Sequence, residues 1–423
     1  MKPLTSDLQL KRLRLSGFKS IELCDLELGG LNVLIGANGA GKSNLLSVFD
    51  LIKALVTGNL QRYILINAGC ESMLHYGSKN TDKFIIKLSF EQFMYEASFT
   101  PAGNDKTLID ETLSSPNARL IIKDINQSQL NKVTVEKESS DKNTLNEKID
   151  YYRSEIPFPS VSNKGYESIA KAMSEELYWL DQENPNNTNP VKPRIETKKA
   201  VQSLIHTANQ FRVYHFNDTS DSARIKKHNQ VNDNIYFRSD GSNLTAFLYL
   251  LKQVYPKSYS QIVDTIKIVA PFFHDFHLRP EPVNNEIIML EWFANGYDQP
   301  FKAFQLSDGT LRFICLATAL LQPDEYLSQT IVIDEPELGL HPDAIHILAG
   351  LIRSVSKSRQ LIISTQSVDL LSEFDPEDVI LVDYQNGKST FKRPDLKFLE
   401  SWLKNYSLGE LWLKNVLSLG DLK

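Results

Sequence analysis

Short apolar runs alternate with amphipathic stretches over most of the chain, and one charged, amide-rich segment interrupts them. Leu31, Val33, Leu34 and Ile35 form an apolar run that predicts a short buried strand, and after it Leu45, Phe49, Ile52 and Val56 recur at helical spacing. Ahead of that strand, leucines alternating with Arg12 and Arg14 predict an edge strand over Leu10 to Leu15. A turn over Ser16 to Ser20 and a second strand over Ile21 to Leu28 follow. Phe84 to Phe90 and Met94 to Phe99 alternate as a hairpin or meander would, whereas Asn59 to Tyr76 shows no clear period. From Lys123 to Gln210 charged and amide residues take over, punctuated by Pro157, Pro159, Pro185, Pro190 and Pro193. Ser168 to Leu180 and Lys199 to Gln210 are helix candidates there, and Asn184 to Pro193 is an exposed loop. Heptads are not sustained, so a long coiled-coil arm is not expected.

Order returns with Phe211 to Phe216, a strand, and with an apolar-periodic helix over Asn243 to Val254 that follows capping residues. Ile262 to Ala270 reads as helical, Glu286 to Trp292 and Phe301 to Phe304 as strands, and Phe313 to Leu321 as a helix. In the last third, helices alternate with apolar strands, the pattern of a parallel sheet covered on both faces. The fold class is therefore α/β, in three parts: 1–122, a charged and partly helical insertion over 123–210, and 211–423.

Between the first buried strand and its helix lies Gly36-Ala37-Asn38-Gly39-Ala40-Gly41-Lys42-Ser43, with Asn44 next. It fits the phosphate-loop pattern in the strand-loop-helix context that the pattern requires. Backbone N–H groups wrap a phosphate only where glycines let the chain pass close to it, and the helix that follows adds its positive end. Lys42 is placed to reach the terminal phosphates of ATP, and the Ser43 hydroxyl to help hold Mg²⁺.

Thr330 to Glu335 is an apolar run ending in two acids. Asp334 is the second candidate Mg²⁺ ligand, directly or through water, and Glu335 is the candidate catalytic group that orients the attacking water. Leu361 to Gln366 is a further buried strand whose polar end, Gln366, is suited to sensing the terminal phosphate. Ser307, Asp308 and Gly309 open a helix, and helix starts attract anions. His215 and His346 have no partner at a recognisable spacing.

Composition changes this picture little. Three distant cysteines, Cys24, Cys70 and Cys315, suit reduced thiols better than a disulfide framework or a metal site. A formal net charge of −6 removes any general electrostatic case for nucleic acid, leaving local basic patches such as Lys192, Arg194, Lys198 and Lys199 with Arg224 to His228. Arg12 and Lys19 read equally well as solvated residues and as contacts to nucleotide or DNA. The first residues carry no apolar signal and no run is long enough to cross a bilayer, so a cytoplasmic location and no membrane partner are expected.

The order of these elements resembles that of the ABC-type P-loop ATPases, and within them the SMC, RecF and OLD branch. Arg12-Leu-Arg-Leu-Ser-Gly-Phe-Lys-Ser-Ile, Ile35 to Leu46, Asp334-Glu-Pro-Glu-Leu-Gly-Leu-His-Pro and Ser364-Thr-Gln-Ser carry the resemblance. Tyr214-His-Phe-Asn-Asp-Thr, Leu306-Ser-Asp-Gly-Thr-Leu-Arg-Phe and Tyr406-Ser-Leu-Gly-Glu-Leu-Trp are similar to bacterial RecF-like predicted AAA family ATPases. The likeness covers roughly 8–60 and 205–423 and lapses between them.

The resemblance implies an ABC-ATPase head, a mixed sheet flanked by helices, that forms a head-to-tail homodimer with two nucleotides across a twofold interface. Ser307, Asp308 and Gly309 of one copy would then contact the γ-phosphate held by Lys42 and Ser43 of the other. Gly339-Leu340-His341 takes the place of the D-loop, with His341 where an Asp is usual, and Gln366 stands where the switch residue is usually His. No residue is assigned to the Q-loop. The expected activity is Mg²⁺-dependent ATP hydrolysis in DNA maintenance, repair or antiviral defence, with DNA and a separately encoded nuclease or other effector as candidate partners. A fused Toprim nuclease is not expected, because few residues follow Gln366 in the sequence. The alternatives are an ATPase subunit of a membrane transporter and an ATP-binding scaffold with little hydrolysis.

Overall fold

The computed structural model of the protein describes residues 9–102, 107–115, 118–123, 132–136, 148–152 and 202–419. The expected helix over Ser168 to Leu180, the loop over Asn184 to Pro193 and the basic residues from Lys192 to Lys199 lie outside these described residues.

Strands β1 (Arg12–Phe18) and β2 (Ile21–Glu27) form a hairpin, and β3 (Leu31–Ile35) follows them. Beyond come β4 (Phe84–Ser89), β5 (Met94–Pro101), β6 (Thr107–Ser115), β7 (Ala118–Lys123), β8 (Lys132–Glu136) and β9 (Lys148–Tyr152). All of these except β3 form one antiparallel sheet of order β2-β1-β4-β5-β6-β7-β8-β9.

Two expectations change here. Strand β1 lies inside the sheet, with β2 on one side and β4 on the other, because the Leu13 and Leu15 face buries while the backbone on both flanks is paired. The segment from Lys123 onward, expected to be partly helical, supplies β8 and β9 to the same sheet. Its one described helix spans 202–209. The aperiodic stretch from Asn59 to Tyr76 holds a helix, Leu60–Ile66, and a short 3₁₀ turn, Glu71–Met73.

The second half of the chain contributes β10 (Phe211–Tyr214), the pair β11 (Asn229–Gln230) with β13 (Ile287–Ile288), and the three-stranded sheet β12 (Phe273–Phe276), β14 (Glu291–Ala294) and β15 (Phe301–Lys302). With β16 (Thr330–Asp334), β17 (Gln360–Thr365), β18 (Val379–Gln385) and β19 (Lys388–Lys392) it builds the central sheet, β10-β16-β17-β3-β18-β19. Every pair in that sheet is parallel except β18 with β19.

The central strands explain why their sequences are continuous apolar runs. All five residues of β3 and all six of β17 are buried, as expected of parallel strands covered on both faces. Because side chains alternate across a strand, the sheet divides the interior into two cores. Val33, Ile35, Ile331, Ile333, Leu361 and Ile363 face one, packed against the helices Leu244–Val254, Pro256–Val269, Asp308–Leu321 and Pro342–Ser356. Leu34, Val332, Ile362 and Ile380 face the other, where the Lys42–Val56 helix lies between the central and antiparallel sheets. Phe49 of that helix, fully buried, meets Phe211 of β10 edge-on at 5.4 Å. Among the described residues no helix is long and apolar enough to cross a membrane.

Candidate functional site

Parallel order puts the C-terminal ends of β3, β16 and β17 on one edge of the sheet, where an α/β protein gathers its ligand-contacting residues. Gly36 to Gly41 leave β3 there and turn into the Lys42–Val56 helix. Gly41 adopts φ +112°, and a Cβ on it would collide with the Ser389 hydroxyl, so this end of the loop tolerates only glycine. Asn44 points away from the loop, its amide donating to Ser20 Oγ at 2.7 Å, and Ser389 Oγ meets the same hydroxyl at 2.7 Å. The turn between β1 and β2 thus braces the first helical turn, helped by Lys19 Nζ donating to Ser47 Oγ at 3.0 Å.

The Lys42 ammonium is folded back on its own loop, donating to Gly36 O at 2.7 Å and Ala37 O at 3.1 Å. Burial pulls its pKa below the ordinary lysine range, against the carboxylates of Glu335, Asp334 and Glu337. Ser43 Oγ donates to Asp334 Oδ2 at 3.1 Å, joining the loop helix to β16. The other oxygen of Asp334 accepts from the Ser364 hydroxyl of β17, so one carboxylate spans three elements.

Glu335 leaves the strand with φ +47°, a left-handed conformation that costs a non-glycine residue roughly 1–2 kcal/mol. Its N–H donates to Ser364 O at 3.0 Å and its carbonyl accepts from Leu338 at 3.2 Å, which fixes the bend. That bend turns the carboxylate toward β17, where the Gln366 amide donates to Glu335 Oε1 at 2.9 Å.

The Ser307 to Gly309 turn is placed differently. Ser307 caps the Asp308–Leu321 helix, its hydroxyl accepting from Thr310 N–H at 3.1 Å, so the helix begins earlier than its apolar residues suggest. Asp308 pairs with the buried Lys226 ammonium at 3.3 Å. A Cβ on Gly309 would overlap the Gly339 carbonyl, so this helix start rests directly on the turn after Glu335. Arg312, one turn along, binds Leu338 O together with Phe216 O at 2.8 Å and Asn217 O at 3.3 Å. Among the described residues no hydrogen bond or ion pair joins Ser307, Asp308 or Gly309 to the phosphate loop of the same chain. His341 caps the Pro342–Ser356 helix, accepting from Asp343 N–H at 3.4 Å.

Both histidines read as lone have partners. His346 bonds Glu373 on the outer surface. His215, at the end of β10, lies with Nε2 3.8 Å from Asp50 Oδ2 and Nδ1 4.0 Å from Asp334 Oδ2. The Asp50 carboxylate raises its pKa above the ordinary histidine value, against partial burial. Asp50 escaped the sequence reading, while Lys226 stood in it only within the basic patch from Arg224 to His228, and Arg312 and Glu337 only as letters of longer phrases. The local signals were the Asp334-Glu-Pro-Glu phrase for Glu337 and the Leu306-Ser-Asp-Gly-Thr-Leu-Arg phrase for Arg312.

A phosphate loop, an acidic strand end and a polar strand end on a largely parallel sheet, with a capped Ser-Asp-Gly helix start nearby, define a class: a P-loop ATPase domain of the AAA/ABC type. The chain belongs to the family described as "AAA domain, putative AbiEii toxin, Type IV TA system", whose model matches residues 31–372. It is also similar to an OLD nuclease of Thermus scotoductus (strain ATCC 700910 / SA-01), 41% identical over 54 residues. That match takes in 13% of this chain and only 10% of the relative's length. Among solved structures it is similar to an SMC head bound to the C-winged helix domain of ScpA, with a TM-score of 0.49 and 14% identity over 93% of this chain and 99% of that one. The SMC head domain from Thermotoga maritima gives a TM-score of 0.39 and 15% identity over 92% and 100%.

Proposed function

We propose that the protein is an ATP-binding and ATP-hydrolysing ABC-type head that closes on a second copy when ATP is bound and parts from it after hydrolysis. The observation that carries this reading is the meeting of three strand ends. Ser43, Asp334 and Ser364 are linked through one carboxylate, and Glu335 and Gln366 are bonded beside it. Lys42 exchanges its two loop carbonyls for the terminal phosphates, a favourable swap for a buried ammonium. The residues present fit magnesium, because Ser43 Oγ and Asp334 Oδ2 are hard oxygen donors 3.1 Å apart. The bound ion supplies charge neutralisation at the phosphates. Glu335 orients and accepts a proton from the attacking water, and Gln366 holds Glu335 in place or donates to a phosphate oxygen.

The Ser-Asp-Gly turn supports a two-headed site. Ser307 to Gly309 form a capped helix start with no bond to the loop of their own chain, leaving them to cap a nucleotide held by another. ATP then shifts the equilibrium toward the dimer by binding that state better. The output passes to DNA or to an effector in repair or antiviral defence, and the likeness to an OLD nuclease supports a nuclease in that role. Glu335→Gln with ATP and Mg²⁺ is expected to trap a dimer by size-exclusion with light scattering. A strictly monomeric species, with ATP bound, overturns the two-headed mechanism.

A further inference from the structure

Glu337 has no part in the roles above, yet it is among the most deeply buried acids of the described chain, at 8% exposure. Its Oε1 accepts two hydrogen bonds from the end of β17, from Thr365 Oγ1 at 2.6 Å and from Gln366 N–H at 3.2 Å. Its Oε2 is buried with no hydrogen-bond partner among the described residues. Burial pushes the carboxyl above its ordinary range, against the Thr365 hydroxyl. An acid sunk to that depth with one oxygen unmatched is costly to keep, and an apolar residue would fill the space at less expense.

Its main chain points the other way. Glu337 O accepts from Leu340 N–H at 3.0 Å, closing the turn whose Leu338 carbonyl takes Arg312 and whose Gly339 carbonyl lies under Gly309. Gln366 sits at the exposed lip of β17 and is held at its backbone by Glu337, so the direction in which its amide leaves the strand is set there.

We infer that Glu337 is a positioning residue for hydrolysis: it clasps the Thr365–Gln366 strand end so that the Gln366 amide meets Glu335, and it roots the same clasp in the turn under the Asp308–Leu321 helix. The inference rests on the ATP-hydrolysis reading and adds a residue to it. Glu337 acts through Gln366 and touches neither nucleotide nor water.

The test uses the full chain, with steady-state ATP hydrolysis and fluorescent-nucleotide titration measured side by side. Glu337→Ala is expected to lower kcat about tenfold while nucleotide affinity stays within about twofold, because only alignment is lost. Glu337→Gln keeps an acceptor oxygen for Thr365 and Gln366 and is expected to recover kcat to within about threefold of the parent. In a Gln366→Ala background Glu337→Ala is expected to add less than about a twofold loss, since residues that act as a unit are not additive. Unchanged kcat in Glu337→Ala overturns the inference. So do losses that multiply, or a Gln variant as impaired as the Ala variant. Should Glu337→Ala fail to fold, Thr365→Val removes the hydroxyl donor and leaves the carboxyl, and the same split and the same non-additivity decide the matter. A wild-type protein that hydrolyses no ATP sinks the underlying reading instead.

Discussion

Ser364→Ala isolates the support of Asp334 from Asp334 itself. The Ser364 hydroxyl is fully buried and donates to one carboxylate oxygen of Asp334, leaving the other free to face Ser43. A hydrogen bond to a charged group contributes about 1.5–3 kcal/mol, and the Asp334 side chain is 12% exposed, so water replaces little of it. Losing a partner that orients a metal ligand typically weakens metal binding about 10–100-fold, and tenfold is about 1.4 kcal/mol, so the two scales agree. The change leaves the backbone intact, since Glu335 N–H still reaches Ser364 O at 3.0 Å. The expected result is an apparent Mg²⁺ half-saturation for ATP hydrolysis raised about tenfold, with kcat at saturating Mg²⁺ within about threefold of wild type. A Mg²⁺ dependence identical to wild type, or a fall in kcat that added Mg²⁺ does not restore, refutes the argument that Ser364 serves the metal through Asp334.

Two predictions concern the framework. Phe49→Ala empties a fully buried position against Phe211 and should cost about 3–5 kcal/mol in urea unfolding, enough to lower the yield of folded protein. Asp378 has its pKa raised to about 6 by burial, with Asp375 adding to the effect and Arg393 opposing it. A carboxyl raised in the folded state binds more protons there than in the unfolded chain between about 3.8 and 6, so it lowers stability as pH rises through that window. Asp378→Asn should therefore unfold at higher urea than wild type at pH 7.5, by no more than about 1 kcal/mol given solvent screening, with the difference gone near pH 4.

The buried parallel strands were legible because a strand covered on both faces must be apolar throughout, and β3, β16 and β17 each end in residues whose chemistry is local to the motif. What the chain pairs with was not legible. Leu13 and Leu15 alternate with arginines whether β1 lies at an edge or inside, and only the later strand β4 decides between them. The charged composition after Lys123 suggested helices and concealed two strands, because antiparallel pairing satisfies the backbone whatever the side chains. His215 showed no partner because Asp50 and Asp334 come to it from two other elements. Glu337 was visible as a letter, but its direction depended on the left-handed bend at Glu335.

Strand β3 has β17 and β18 as its two neighbours in the sheet, and both come from the far end of the chain. During synthesis the ribosome therefore releases the phosphate loop long before anything can flank the strand that carries it. Contacts of such wide sequence separation fold slowly, and the unpaired apolar strand is exposed to wrong partners while it waits. A chain that stops short of Leu361 cannot assemble the nucleotide pocket, however faithfully its first fifty residues are made.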